Sequence, residues 1–412
     1  MDFFNEIWLT ISKNRSRSLL TGFGVFWGMM ILLALVAVGD SLKSAVWSNI
    51  AGFATNSTFI GTSTTSKPYK GLQKGREWDI INNDLPVLRR ETPSADIISP
   101  VCFGGQWENN VRYGDRKGSY NIIGVESDYP KVFYIPILYG RNVNDIDIRE
   151  RRKVCVIGNR IYRELFPEGG DVTGRMLRVG NIQYRVVGVR KQAVGQVNIG
   201  GDSDEQVVLP LTTLQQVYHY GETIHMVMAT AKPQTTAAEV ENEIKSTLKQ
   251  LHSVAPDDQR ATWSMNIEKE FKSLNYLMLG LTLLIWLVGI GTLISGAVGV
   301  SNIMLVTVRE RTKEIGIRRA LGASPHVIVR QILAESTLLT FLAGVLGIVA
   351  GVGVVQLAGM LLKDNEMFGT MQVSFLIAVC ALILLILIGL LAGLLPASRA
   401  LSIKPIEALS EE

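Results

Sequence analysis

Histidine and cysteine are too scarce and too scattered in this chain to suggest a reactive centre. Four histidines (His219, His225, His252, His326) and three cysteines (Cys102, Cys155, Cys380) are spread over 412 residues. None stands at metal-ligand spacing from another, and no H-E-x-x-H helix is present. A phosphate-binding loop is missing as well. Residues 169–174 have the G-x-x-x-x-G spacing, but Arg175 and Met176 follow where Lys and Ser or Thr are required, so the stretch reads as a turn. Without a nucleophile-elbow pattern, the serines and acidic residues between 40 and 272 carry no hydrolase signal. The chain is therefore expected to be non-catalytic and to bind no metal or cofactor itself. Cys102 and Cys155 read as buried free thiols, unless the fold brings them together as a pair.

Charge is also thin, at 19% of residues against about 25% in soluble domains, and it is missing in blocks. Residues 19–39, 273–308 and 336–362 contain no Asp, Glu, Lys or Arg, and 371–395 is a further apolar block. A helix needs about 20 apolar residues to cross a bilayer. The spans expected are 19–39, 277–306, 332–362 and 371–395. A cleaved signal peptide is the rival reading of the first, but the run is longer than a signal core. The only ionisable candidate near the spans is Glu335, expected at headgroup depth near Arg330, so no ion path is indicated. The net charge of +4 is small and its basic residues flank apolar runs, which indicates contact with a lipid bilayer and no nucleic-acid partner.

What is present orders itself around these blocks. Phe4, Ile7, Trp8 and Ile11 make an apolar stripe, so 1–18 reads as an amphipathic helix at the membrane surface. Residues 40–272 read as a large extracytoplasmic domain. Its β-rich runs are 57–61, 97–103, 120–125, 153–157, 184–189 and 207–209, with helices at 79–91, 160–166 and 236–251. In the last, Thr236 and Glu239 form a capping-box pattern, and Val240, Ile244, Leu248 and Leu251 share a face. The strand-rich stretch 124–190 reads as an inserted lobe. The fold class is a membrane protein of four transmembrane α-helices, with an α+β domain between the first and second. A short outer hairpin at 363–370 makes the last two helices antiparallel neighbours. Basic residues flanking the spans place both termini (1–18 and 396–412) in the cytoplasm.

Two features carry candidate function. Small residues recur at interface spacing, as Ser295 and Gly299, Gly347 and Gly351, and Gly389 and Gly393, which suits close packing within the chain or against a second copy. Between the second and third spans lies a charged island, 307–331, with Arg309, Glu310, Arg311, Glu314, Arg318 and Arg319. Helical character continues from the second span to Leu321. Gly322 suits a helix end, and Ser324 with Pro325 suits a new start.

The sequences VRERTKEIGIRRALGAS (308–324), ILAES (332–336) and GLLPASRALSIKPIEAL (393–409) resemble the cytoplasmic signatures of the MacB/FtsX-type ABC transporter permeases. Between 123 and 189, GVESDYP, LYGRNV, VCVIG, ELFP and YRVVGV resemble the external domain of the same family, and NRSRSLLT near the start also fits it. The resemblance implies a type VII, mechanotransmission ABC permease of the bacterial inner membrane with a periplasmic core domain. It implies a dimer with a second permease copy or a paralogue. It also implies a separate nucleotide-binding subunit that binds ATP and Mg, because no fused ATPase domain precedes the first span. Arg309, Glu310, Arg311, Glu314, Arg318, Arg319 and Gly322 would then form the coupling region docked on that ATPase. MacB-like export would add a periplasmic adaptor and an outer-membrane duct. Lipoprotein release, or FtsX-like activation of a periplasmic partner, is the alternative.

Overall fold

The computed structural model describes residues 15–49, 52–105, 110–192, 199–362 and 374–402. The expected stripe at Phe4–Ile11, the hairpin 363–370 and the tail beyond 402 lie outside these. The described chain divides into a unit of Trp47–Tyr276 and a helical unit formed by the rest.

The first helix, α1, spans Arg15–Asn49. The Trp47–Tyr276 unit then contributes β1 (Ser57–Thr62), β2 (Ile80–Ile81), α2 (Asp84–Glu91), β3 (Ala95–Gly105), β4 (Val111–Tyr113), β5 (Arg116–Gly118), β6 (Asn121–Val125), α3 (Tyr129–Val132) and β7 (Ile137–Gly140). It continues with α4 (Asp145–Arg149), β8 (Val154–Ile157), α5 (Asn159–Leu165), β9 (Met176–Val179), β10 (Ile182–Arg190), β11 (Gln206–Pro210), α6 (Leu211–Val217), β12 (Thr223–Ile224), β13 (Met226–Ala231), α7 (Ala237–Leu251) and β14 (Thr262–Asn266). One long sheet runs β14-β1-β13-β3-β6-β11-β8-β10-β9-β4-β5, with β7 on β10. Two of its pairings, β6 with β11 and β8 with β10, are parallel. The strands of 124–190 therefore belong to the same sheet as those on either side of them.

Alternation along the strands sets the layers, since successive side chains point to opposite faces. Phe59, Val101 and Met228 meet Tyr129 and Phe133 on one face, whereas Ile60, Ile98 and Val227 meet Leu85, Leu88, Val240, Ile244 and Leu248 on the other. Helix α7 starts as expected at Thr236, whose hydroxyl accepts the Glu239 N–H at 3.3 Å. Leu251 departs from the expected stripe and is 42% exposed, because the helix ends there and the chain turns away through His252 and Ser253.

The loop after β1 is held by one carboxylate. Buried Asp258 accepts from Ser66 N and Oγ (both 2.7 Å), Lys67 N (3.0 Å) and Arg260 N (3.1 Å). Burial disfavours its ionisation, but these donors outweigh burial and hold the group at about 2, below its ordinary 3.8. The depressed value means that its contribution is complete above pH 4 and fades as pH falls through about 2. Asp258→Ala is expected to cost about 2 kcal/mol and to abolish the protection of 64–76 in hydrogen exchange at pH 7. Wild-type protection there should weaken only below pH 4.

The remaining helices are α8 (Ile267–Glu310), whose part from Leu277 onward belongs to the helical unit, and α9 (Thr312–Ala320), α10 (Pro325–Leu361) and α11 (Phe375–Leu401), which lie wholly in it. Four helices are long and apolar enough to cross a membrane: Gly22–Trp47, Ile267–Glu310, Pro325–Leu361 and Phe375–Leu401. Helix α8 has 44 residues, about 66 Å at 1.5 Å per residue. That is roughly twice the hydrocarbon thickness of a bilayer.

Candidate functional site

The charged island is built from a helix end, a short helix and a helix start. Its expected continuous helix is broken. Helix α8 stops at Glu310, Arg311 takes φ −97° and ψ 16°, and α9 begins at Thr312. The Thr312 hydroxyl donates to the Arg309 carbonyl at 2.7 Å, a local bond that competes with the helix ladder at the break. The far end of α9 is as expected. Gly322 adopts φ +96°, Gly322 N bonds Arg319 O at 3.1 Å, and Ala323 N bonds Arg318 O at 3.0 Å. These are the paired bonds of a Schellman end. Extended Ser324 and Pro325 then open α10, although the Ser324 side chain makes no capping bond.

The expected coupling residues separate into two sets. Arg311 and Arg318, both half-buried, line a cleft with Gln331, Glu335 and the exposed Glu314, above Ile315, Ile328 and Ile332. Arg311 Nη1 lies 3.2 and 3.3 Å from the two Glu335 oxygens, and Glu335 is buried. Glu335 thus has Arg311 for a partner, across the break. Arg318 donates to Gln331 Oε1 at 3.0 Å and pairs with Glu314 at 2.9 Å. The cleft is small, about 30 Å³, a volume on the scale of a water molecule. Arg319 donates to the Leu401 carbonyl at 2.9 Å, joining α9 to the end of α11. Outward stand Arg309, Glu310, Lys313 and Gly322. Beside them, and unforeseen in the sequence, are three exposed apolar side chains, Ile317, Val327 and Leu321, the last 83% exposed.

The small-residue pairs separate likewise. A Cβ on Gly347 would lie 2.6 Å from the Phe26 carbonyl oxygen, and one on Gly351 would lie 3.3 Å from Leu33 and Met30, so this pair seats α10 on α1. Gly389 and Gly393 seat α11 on α10, against Thr340 and Ser336. Ser295 and Gly299 do not serve the bundle: Ser295 is exposed and a Cβ on Gly299 meets nothing within 4 Å. The seam of α8 with α1 instead uses Gly296 on Gly24, Thr292 on Gly28, and Gly289 on Leu32. Residues 295 and 296 are about 100° apart around a helix, which turns the expected pair away from α1.

Comparison with protein families supplies the context. Residues 18–247 match the family described as MacB-like periplasmic core domain, and 275–405 match the FtsX-like permease C-terminal family. The chain belongs to the MacB-like, FtsX-type permeases. Among curated relatives, the pyoverdine export ATP-binding/permease protein PvdT of Pseudomonas syringae pv. syringae is 30% identical over 413 residues, covering 100% of this chain and 59% of its own length. The macrolide export ATP-binding/permease protein MacB of Escherichia coli K12 is 28% identical, over 99% of this chain and 61% of its own. The chain thus spans about three fifths of these relatives. Solved structures with similarity include the periplasmic region of MacB from Actinobacillus actinomycetemcomitans (17% identity, TM-score 0.42, 55% of this chain and 96% of that one). Another is the extracellular domain of the ABC-type transporter YknZ from Gram-positive bacteria (15% identity, TM-score 0.42, 51% and 100%).

The α+β domain of this MacB-like permease brings a cysteine and a histidine together. Cys102 Sγ lies 3.1 Å from His225 Nδ1, which also accepts the Phe103 N–H at 3.1 Å. Burial pushes the Cys102 thiol up to about 12 and pulls His225 below its ordinary value. Both groups are therefore neutral at physiological pH, the opposite of an activated thiolate. Cys155 is buried and free, as is Cys102, so the two do not pair. Among the described residues, no group of three or more His, Cys, Asp and Glu could hold a metal.

Proposed function

We propose that this chain is the membrane subunit of an ABC transporter working by mechanotransmission. ATP and Mg are bound and hydrolysed in a nucleotide-binding subunit on the cytoplasmic side. Its movement enters at α9, and the α+β domain on the opposite side carries out MacB-like export. The excess of Arg and Lys in the island supports this orientation, with both chain ends cytoplasmic. The outward Ser295–Gly299 face suits a second permease copy. A periplasmic adaptor and an outer-membrane duct would complete the export route.

The observation that carries the reading is the division within the island. Arg311, Arg318 and Arg319 bind α9 to α10 and α11, while Ile317, Leu321 and Val327 present apolar surface beside Lys313 and Arg309. Apolar side chains exposed in the most charged part of a membrane protein suit a protein interface with an apolar centre and a polar rim. Docking therefore falls to the outward set, and bracing to the inward set. Leu321→Glu is expected to weaken association with the nucleotide-binding subunit about thirty-fold, the cost of losing an interface anchor, with helicity and insertion unchanged. Co-purification from native membranes reads this. Recovery of the wild-type chain with no nucleotide-binding subunit would remove the proposal altogether. Reversing Arg318 is a poorer probe, since a glutamate there would also face Glu314 and lose Gln331.

A further inference from the structure

The loop between β1 and β2 forms a rigid basic finger that none of the preceding chemistry uses. At its tip, Tyr69 and Leu72 exchange backbone hydrogen bonds of 3.1 and 2.9 Å around Lys70 and Gly71. Both central residues are left-handed (φ +47° and +81°), as a two-residue hairpin turn of this type requires. Gly71 accepts that conformation freely, but a lysine does so at a cost. The base is clamped twice. Asp258 holds Ser66 and Lys67, and Thr65 N bonds Arg76 O at 3.0 Å while Gly75 N bonds Thr65 O at 2.7 Å. Arg76 turns inward and donates to the His252 carbonyl at 2.6 Å.

Among the described residues, the tip stands largely exposed. Lys67, Lys70 and Lys74 are exposed, Leu72 is 39% exposed, and no acidic residue occurs from 64 to 76. Lys67 is paired with Asp257, and the Lys70 ammonium lies 5.5 Å from the Tyr69 ring centroid. The finger also leaves the domain at a defined end. Thr62 pairs with Thr262 at one limit of β1 and β14, and the other ends of these strands lead to Trp47 and Tyr276, where the chain enters and leaves the domain.

An ordered projection that buries little of itself is costly in conformational entropy, and a left-handed lysine at its point adds strain of the kind that collects at functional positions. We propose that residues 67–74 are a docking finger for a soluble protein with an acidic face, on the same side of the membrane as the domain. Lys70 and Lys74 would steer and orient the partner, and Tyr69 and Leu72 would supply the apolar contact. That apolar pair favours a protein over a polyanionic polymer, which would need only the charges. The inference concerns the α+β domain alone and does not depend on how α9 is driven.

Incorporation of the photoreactive residue benzoylphenylalanine at position 72 of the full chain, in its native membrane, tests this. Irradiation is expected to give an adduct with one acidic soluble protein, identified by mass spectrometry. Its yield should fall about tenfold in a Lys70→Glu, Lys74→Glu background. It should return when acidic residues in the cross-linked segment of the partner are changed to lysine. No protein adduct, an adduct indifferent to charge reversal, or cross-linking confined to lipid or polysaccharide would overturn the proposal. The same probe at Gln73, also exposed, serves if the first variant does not fold.

Discussion

Glu335→Ala is expected to uncouple the permease while leaving it inserted in the membrane. Glu335 is buried at the start of α10, and its carboxylate receives Arg311 from the break between α8 and α9. Removing one partner of such a pair leaves the other charge poorly compensated. Because the Arg311 side chain is 28% exposed, the lower end of the usual cost applies, about 3 kcal/mol. The loss should appear locally. Hydrogen exchange in 304–316 should speed up about a hundredfold, the kinetic equivalent of that energy, while α11 keeps its protection. Nucleotide-driven export should fall in parallel, since the start of α9 would lose its ionic tie to α10, leaving the Arg318–Gln331 bond between them. The exchanged pair Arg311→Glu with Glu335→Arg should restore part of both signals. Unchanged exchange in the single variant would show that the contact carries no weight.

The second large effect is expected at Gly347. A leucine there would place its Cβ 2.6 Å from the Phe26 carbonyl and 2.9 Å from the Met29 Cβ. Backbone cannot yield as a side-chain tip can, so α10 must move off α1. Overpacking of this kind costs about 2–3 kcal/mol, and the detergent-solubilised protein should melt at a clearly lower temperature. Gly299→Leu is the control. Its Cβ meets nothing within 4 Å inside the chain, so its melting temperature should hold, and any loss of self-association would locate the seam with a second copy. Equal melting of the two variants would contradict the packing described.

The four spans and six of the fourteen described strands (β1, β3, β6, β8, β10 and β11) were legible because each depends on local pattern: uncharged runs for the spans, β-rich runs bounded by turn residues for strands such as Ser57–Thr62 and Val154–Ile157. The corner at Gly322 was legible for the same reason, since a left-handed helix end selects glycine. Three features of the site were not. Arg311 and Glu335 are 24 positions apart, and only the fold of α9 against α10 brings them together. Glycines 296 and 299 are both plausible seam residues by spacing, and which one meets α1 depends on the rotation of α8. The outward position of Leu321 reads in sequence as one more helix-end residue, and its meaning comes from the inward turn of the arginines around it.

The state of the cysteines has a practical consequence for following the molecule at work. Thiol-directed reagents react with accessible thiolates. Cys102 and Cys155 are fully buried, and both are held protonated by burial. Cys380 is exposed, but on the apolar helix α11, where lipid would shield it from water-borne reagents. A cysteine introduced at Leu72 or Leu321 would therefore be the conspicuous target for a maleimide dye or spin label in an otherwise native chain. The two proposed docking points could then be observed separately, one reporter at a time, without first stripping the protein of its own sulfur.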